Sequence, residues 1–369
     1  MNFDFSEDQR LLQKTARDYL AEHAPLSLCR EVLESDQRYA SSLWKGAAEL
    51  GWLGAAIPEE YGGAGFGHLE LALIAEEVGR ALAPIPFSST VYLASEALQL
   101  AGTDAQKKTW LERISAGQAI AAMALTEGPG QDDVESVSAR IEKGALHGVK
   151  QPVVDGDVAD FAIVAARADT GMTLVLVDLG GAGVERESLE SIDPSRSVAR
   201  LRFDGAPAEV LGSEGGGEAL AAKVLDRAAV LLAFEQLGAA DRAFEITKDF
   251  TMNRYAFGRP IASFQALKHR LADLWCDVEL ARSNCYWGAW ALENDEQDLE
   301  IAGCASRLAA TSAFDLATVE MIQMHGGVGY TWEYDCHLFY RRAVFLAAQL
   351  GSAARWRDRL VTRLDARAA

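Results

Sequence analysis

The sequence is short of cations. Lys and Arg number 35 against 54 Asp and Glu, a formal net charge of −19 at pH 7. An acidic excess of that size argues against general affinity for nucleic acid or an anionic membrane surface, but it leaves room for a local basic pocket that holds phosphates. No apolar run approaches the ~18 residues a membrane span needs; the best core-like stretch, Ala228 to Phe234, is closed by Glu235. The opening MNFDFSEDQR is acidic and has no apolar signal region, so no secretory signal is expected. The five cysteines (29, 276, 285, 304, 336) make no CxxC pair and no metal spacing, which fits reduced, mostly buried thiols in a cytosol. His325 and His337 lack HExxH spacing and no GxSxG string occurs, so neither a metal site nor a serine nucleophile is expected.

What is present is a chain of 369 residues, enough for roughly two to three domains at about 150 residues each. With 49% hydrophobic and 24% charged residues, intrinsic disorder is excluded as a reading. Residues 1–118 read as an N-terminal helical domain. Ser6 with Gln9 makes a capping box ahead of Leu11, Leu12 and Tyr19. The turn-rich IPEEYGGAGFG (57–67) interrupts the helical spacing, which returns through Leu69, Leu73, Ile74 and Val78. Residues 119–211 shift to valine and read as a middle β domain, sandwich-like or barrel-like. MTLVLVDL (172–179) suits a strand buried on both faces, and SVARLRF (197–203) alternates as a half-exposed strand does. LGSEGGGEA (211–219) is a hinge into residues 212–369, where Pro260 is the last proline and helical periodicity predicts a bundle of long helices. The fold class is mainly α with a central β domain.

Three segments could carry chemistry. NRYAFGRPIASFQALKHRLADL (253–274) packs Arg254, Arg259, Lys268, His269 and Arg270 into an acidic protein, and arginine forks suit phosphate; the same spacing also describes a solvated helix face. QMHGGVGYTWEYD (323–335) ends a helical run with Gly326, Gly327 and Gly329, which cap a helix and let backbone approach a ligand closely. Glu333 in that segment is an acid or base candidate, or a structural ion partner. In MALTEGPGQDD (123–133), Thr126 and Glu127 sit at a strand end before a Gly/Pro turn.

Together with IPEEYGGAG (57–65) and GTDAQKKTWLERISAG (102–117), these strings resemble the acyl-CoA dehydrogenase family over nearly the whole chain and in the family's order. The resemblance implies a helical domain, a β domain and a C-terminal four-helix domain. It also implies FAD, tetramers built as pairs of dimers, and removal of an α-proton and a β-hydride from an acyl-CoA thioester. Electrons would pass to an electron-transfer flavoprotein. In the family the FAD site is shared between subunits. Arg254, Phe264 and Gln265 match the first trans-acting motif, and Gln323, Gly326 and Gly327 the second. On the ring side Thr126 is retained, but Asp132 stands where a serine often binds. That is a like-charge contact with pyrophosphate, costing about 4 kcal/mol at ~4 Å and an effective dielectric of ~20. Pro152-Val153-Val154 replaces a family Trp-Ile-Thr, and valine donates no hydrogen bond.

The family's catalytic glutamate falls on Leu350 in one branch and on Ala228 in another; both are apolar here, and the catalytic residue is not identified. Asp226, two residues from the second position, and Glu333, 17 residues before the first, are the substitute candidates. The pattern, with the trans half kept and the base lost, predicts a cytoplasmic, non-catalytic subunit of a heteromeric acyl-CoA dehydrogenase. Such a subunit would complete FAD bound mainly by a paralogous partner, as in bacterial members that act on sterol-derived acyl-CoAs. The alternatives are a self-sufficient dehydrogenase with a relocated carboxylate, or a flavin oxidase or monooxygenase on the same scaffold.

Overall fold

Helices occupy the chain as far as Ser115, strands run from Ala121 to Leu211, and helices resume at Gly217. These assignments come from a computed structural model, which describes residues 5–128, 136–294 and 296–368. Ser6 caps α1 (Glu7–His23): its hydroxyl accepts from Gln9 N at 3.2 Å, while the Gln9 side chain accepts from Ser6 N at 3.0 Å. Thr103 and Gln106 repeat the device on α6 (Asp104–Ser115). Between them lie α2 (Leu26–Glu34), α3 (Ser41–Glu49), α4 (His68–Arg80), a π-helical stretch Ser88–Ser95, and α5 (Glu96–Ala101).

The chain forms two compact units. The sheet unit comprises Val32–Gly67 and Pro84–Ala228. Its eight strands are β1 (Ala121–Ala124), β2 (Arg140–Glu142), β3 (Ala145–Val154), β4 (Phe161–Ala168), β5 (Gly171–Asp178), β6 (Val184–Ser188), β7 (Val198–Pro207) and β8 (Glu209–Leu211). They run in the order β6-β7-β3-β2-β4-β5-β8, with β1 parallel to β4. β5 is buried from Thr173 to Val177, whereas β7 buries Ala199, Leu201 and Phe203 and exposes Arg202. Trp110 of α6 packs on Phe161 of β4, ring centroids 4.1 Å apart.

The helical unit comprises Met1–Glu31, His68–Ala83 and Ala229–Ala369. It holds α1, α4 and most of α7 (Gly217–Asn253), then α8 (Gln265–Asn294), α9 (Glu296–His325), α10 (Cys336–Ala348) and α11 (Ala353–Ala368). Two-residue strands β9 (Tyr255–Ala256) and β10 (Arg259–Pro260) pair antiparallel between α7 and α8. The stretch Ala228 to Phe234 is buried throughout. α4 and α7 approach to backbone contact: a Cβ on Gly79 would overlap the Glu235 carbonyl, and one on Gly238 the Glu76 carbonyl. Ion pairs flank this contact, Arg17 with Glu77 and Arg282 with Glu76 at 2.7 Å, and Arg80 with Asp241 at 2.8 Å and with Glu245. Among the described residues no helix is long and apolar enough to cross a membrane, no Asp, Glu, His and Cys grouping could hold a metal ion, and none of the five cysteines forms a disulfide.

Candidate functional site

α7 ends at Asn253, and Arg254 sits at the foot of the β9–β10 hairpin. Its N–H donates to the Phe250 carbonyl at 2.9 Å, and its carbonyl accepts from Ile261 N at 2.8 Å. The hairpin turn needs left-handed backbone at Phe257 and Gly258 (φ 53° and 79°), and it displays the Phe257 ring almost wholly to solvent. Phe264 is half-buried beneath the Arg259 guanidinium, 4.0 Å from its ring centroid. Gln265 opens α8 on the exposed side. Arg254 is exposed and, among the described residues, has no carboxylate partner. In the same unit Arg17, Arg30, Arg80, Arg242, Arg270 and Arg282 each pair with one.

The second segment follows α9. Gly326 is left-handed (φ 65°) and starts a 3-10 turn, Gly326–Tyr330. A Cβ on Gly329 would come within 2.6 Å of the Ile322 carbonyl and 3.1 Å of His325 Cβ, so packing demands glycine there. Gly327 has neither reason: its φ is ordinary and nothing lies within 4 Å of where a Cβ would be. The result is open backbone at the surface beside exposed Gln323. Both segments line one cleft of ≈ 520 Å³, through Phe250, Asn253, Arg254, Met321 and His325. His325 donates from Nδ1 to the Met321 carbonyl, 2.7 Å away, the donor role its neutral ring takes toward a carbonyl; burial lowers its pKa.

On the sheet unit Thr126 follows β1. Its hydroxyl lies 3.3 and 3.4 Å from the Gln151 and Pro152 carbonyls, to which it donates, and its own carbonyl accepts from Gln151 N at 3.0 Å. Glu127 accepts from Lys150 Nζ at 2.8 Å, from the Ser138 and Ala139 amides and from the Ser138 hydroxyl. Burial alone would raise its pKa; the hydrogen bonds from Lys150 and Ser138 and from both amides outweigh that and hold it at about 2. Sequence reading singled out Thr126 and Glu127 but missed fully buried Lys150; the available signal was a cation at an inward position of β3. Val153 is buried and Val154 half-buried. Asp132 lies outside the described residues.

The candidate base positions divide between the units. Ala228 and Asp226 are buried on the sheet-unit part of α7. Leu350 and Glu333 belong to the helical unit. Glu333 is exposed and held below the usual carboxylate range by its own amide and the Thr331 hydroxyl. Leu350 joins α10 to α11 in a left-handed conformation (φ 61°), its carbonyl accepting from Trp356 Nε1 at 3.0 Å. Buried Arg307, also unremarked in the sequence, donates to the carbonyls of Leu346 at 2.7 Å and Gln349 at 2.8 Å, and to Gln236 Oε1 at 2.6 Å. It thereby satisfies the carbonyls that a helix C-terminus leaves orphaned.

A dinucleotide's pyrophosphate and adenosine suit the first two segments: an uncompensated guanidinium, two exposed amides and open glycine backbone. They suit Thr126 less well, because its hydroxyl proton is already donated within the chain.

Comparison with known proteins identifies the family. Residues 6–118 match the acyl-CoA dehydrogenase N-terminal domain model and residues 215–364 the C-terminal domain model. The chain is 34% identical over 339 residues to the acyl-CoA dehydrogenase IpdE2 of Mycobacterium tuberculosis, covering 91% of each protein. Its fold superposes on the Tcur3481–Tcur3483 steroid ACAD with a TM-score of 0.90 at 30% identity, covering 98% of this chain and 99% of that one. For the ChsE4–ChsE5 complex of M. tuberculosis the TM-score is 0.89 at 28% identity, covering 99% of both chains. The chain therefore belongs to the acyl-CoA dehydrogenase family, FAD-dependent oxidoreductases acting on CH–CH groups.

Proposed function

We propose that this chain is the non-catalytic subunit of a heteromeric acyl-CoA dehydrogenase. Arg254, Gln265, Gln323 and the Gly326–Gly327 backbone contact the pyrophosphate and adenosine end of FAD, whose isoalloxazine ring rests on a paralogous partner. Phe264 supports the Arg259 side of that surface. When bound, FAD supplies the acceptor for the substrate's β-hydride. The partner supplies the carboxylate that takes the α-proton, since Ala228 and Leu350 cannot, and lack of a general base costs typically ~10²–10⁴ in rate. The observation that carries this reading is Arg254, a cation without a carboxylate partner among the described residues of a chain with a net charge of −19.

The two-component names of the Tcur3481–Tcur3483 and ChsE4–ChsE5 relatives support a heteromer, and the steroid label supports a sterol-derived acyl-CoA as substrate. The reading places the complex in the cytoplasm, in fatty acid or sterol side-chain catabolism, with an electron-transfer flavoprotein as acceptor.

The test is to purify the chain alone and together with the product of a neighbouring paralogous gene. The lone chain should lack stoichiometric flavin, the pair should carry it, and Arg254→Ala should loosen it. A lone chain that holds FAD one-to-one and is bleached by an acyl-CoA overturns the proposal. A second reading draws on the burial of Asp226 beside the expected base position: there the homo-oligomer is active and Asp226→Asn abolishes bleaching.

A further inference from the structure

His325 is not one of the proposed FAD contacts, yet it joins the two motifs. Its ring stacks on Phe250 of α7, centroids 4.0 Å apart and planes 24° from parallel. Phe250 lies one helical turn before Arg254 and accepts the Arg254 amide. On its other side, His325 Cβ is the surface over which Gly329 folds the 3-10 turn, and Gly326 and Gly327 follow His325 directly in that turn. Tyr334 closes the cluster edge-on to both rings. A second tie runs from Arg270 of α8 to Glu320 of α9 at 2.7 Å, one turn before Gln323. The ring is buried and its Nδ1–H is spent on the Met321 carbonyl, so its contribution to the cleft is shape and stacking rather than charge.

We infer that His325 is a positioning residue for cofactor binding: stacked on Phe250, it fixes the spacing between the Arg254 guanidinium and the Gly326–Gly327 backbone so that one nucleotide can engage both. This rests on the reading of those groups as FAD contacts. The flat ring is the necessary part. An aromatic replacement keeps the spacing and a truncated one releases it.

The experiment measures FAD affinity in the purified, assembled heteromeric complex by fluorescence, at a temperature well below unfolding. His325→Ala should weaken FAD by about tenfold, the size of a typical coupling between contacting residues. Phe250→Leu should cause a similar loss, and His325→Phe should bind as the parent does. Combined with Arg254→Ala, His325→Ala should add little, because the contact it positions is already gone. A ring serving only to stabilise the bundle would lower Tm and leave FAD affinity unchanged. Parent-like affinity of assembled His325→Ala, failure of His325→Phe to restore binding, or full additivity with Arg254→Ala each overturns the inference. If Arg254→Ala itself leaves FAD binding unchanged, it is the underlying FAD-surface reading that fails.

Discussion

Lys150 and Glu127 show how much one buried pair organises. The ammonium is fully enclosed, and the carboxylate also collects the Ser138 and Ala139 amides, tying the end of β1 to β3 and to the segment before β2. Glu127→Gln leaves a buried cation without its counter-charge, and removing one member of such a pair costs about 3–5 kcal/mol. The pH dependence follows from the direction of the shift. Because the folded carboxyl titrates at about 2, below its unfolded value of about 4.3, its stabilisation is fully present above that unfolded value and drains away as pH falls toward 2. Denaturant melts should therefore separate parent from Glu127→Gln widely at pH 7 and progressively less between pH 4 and pH 2. At this scale the sequence was half legible. Thr126 and Glu127 stand out beside their Gly/Pro turn. Lys150 and Arg307 do not, because their partners include carbonyls and side chains distant in the chain, which no local pattern displays.

Among the elements, the helices were the most readable part. The capping box at Ser6 and proline-free periodicity beyond Pro260 set out α1 and the long C-terminal helices, since those signals act within a few residues. The closeness of α4 to α7 was not readable. Gly79 and Gly238 look like ordinary helical glycines until each is seen against the other helix's carbonyl. Gly238→Ala should force the helices apart and cost at least the 1–3 kcal/mol typical of overpacking. Thermal unfolding checks this: Tm should fall while helical circular dichroism at low temperature stays near the parent's.

For the molecule as a whole, order along the chain and order in space diverge. Residues 1–31 and 68–83 join 229–369 in one compact unit, an association that composition shifts cannot reveal because it closes over long sequence distances. Family membership was legible from motifs spread from Ile57 to Gly329. The same reading sets apolar Ala228 and Leu350 at the positions where the resemblance implies a base. The proposed division of labour fixes a stoichiometry: each chain completes one nucleotide that its paralogue cradles. The purified complex should contain one FAD per pair of unlike chains, and its native mass should match a tetramer of two such pairs. Flavin absorbance against protein, together with light scattering, measures both, and two FAD per pair would contradict the arrangement.

The turn at Leu350 carries a further consequence. Arg307 grips the carbonyls of Leu346 and Gln349 and Trp356 holds that of Leu350, so the bend is secured by neighbours and owes little to the leucine side chain. A position whose shape is guaranteed from outside can change its residue without rebuilding its surroundings. On the proposed reading, gain or loss of an acid there is then a matter of few mutations, so paired lineages can trade the working and the assisting roles while keeping one architecture.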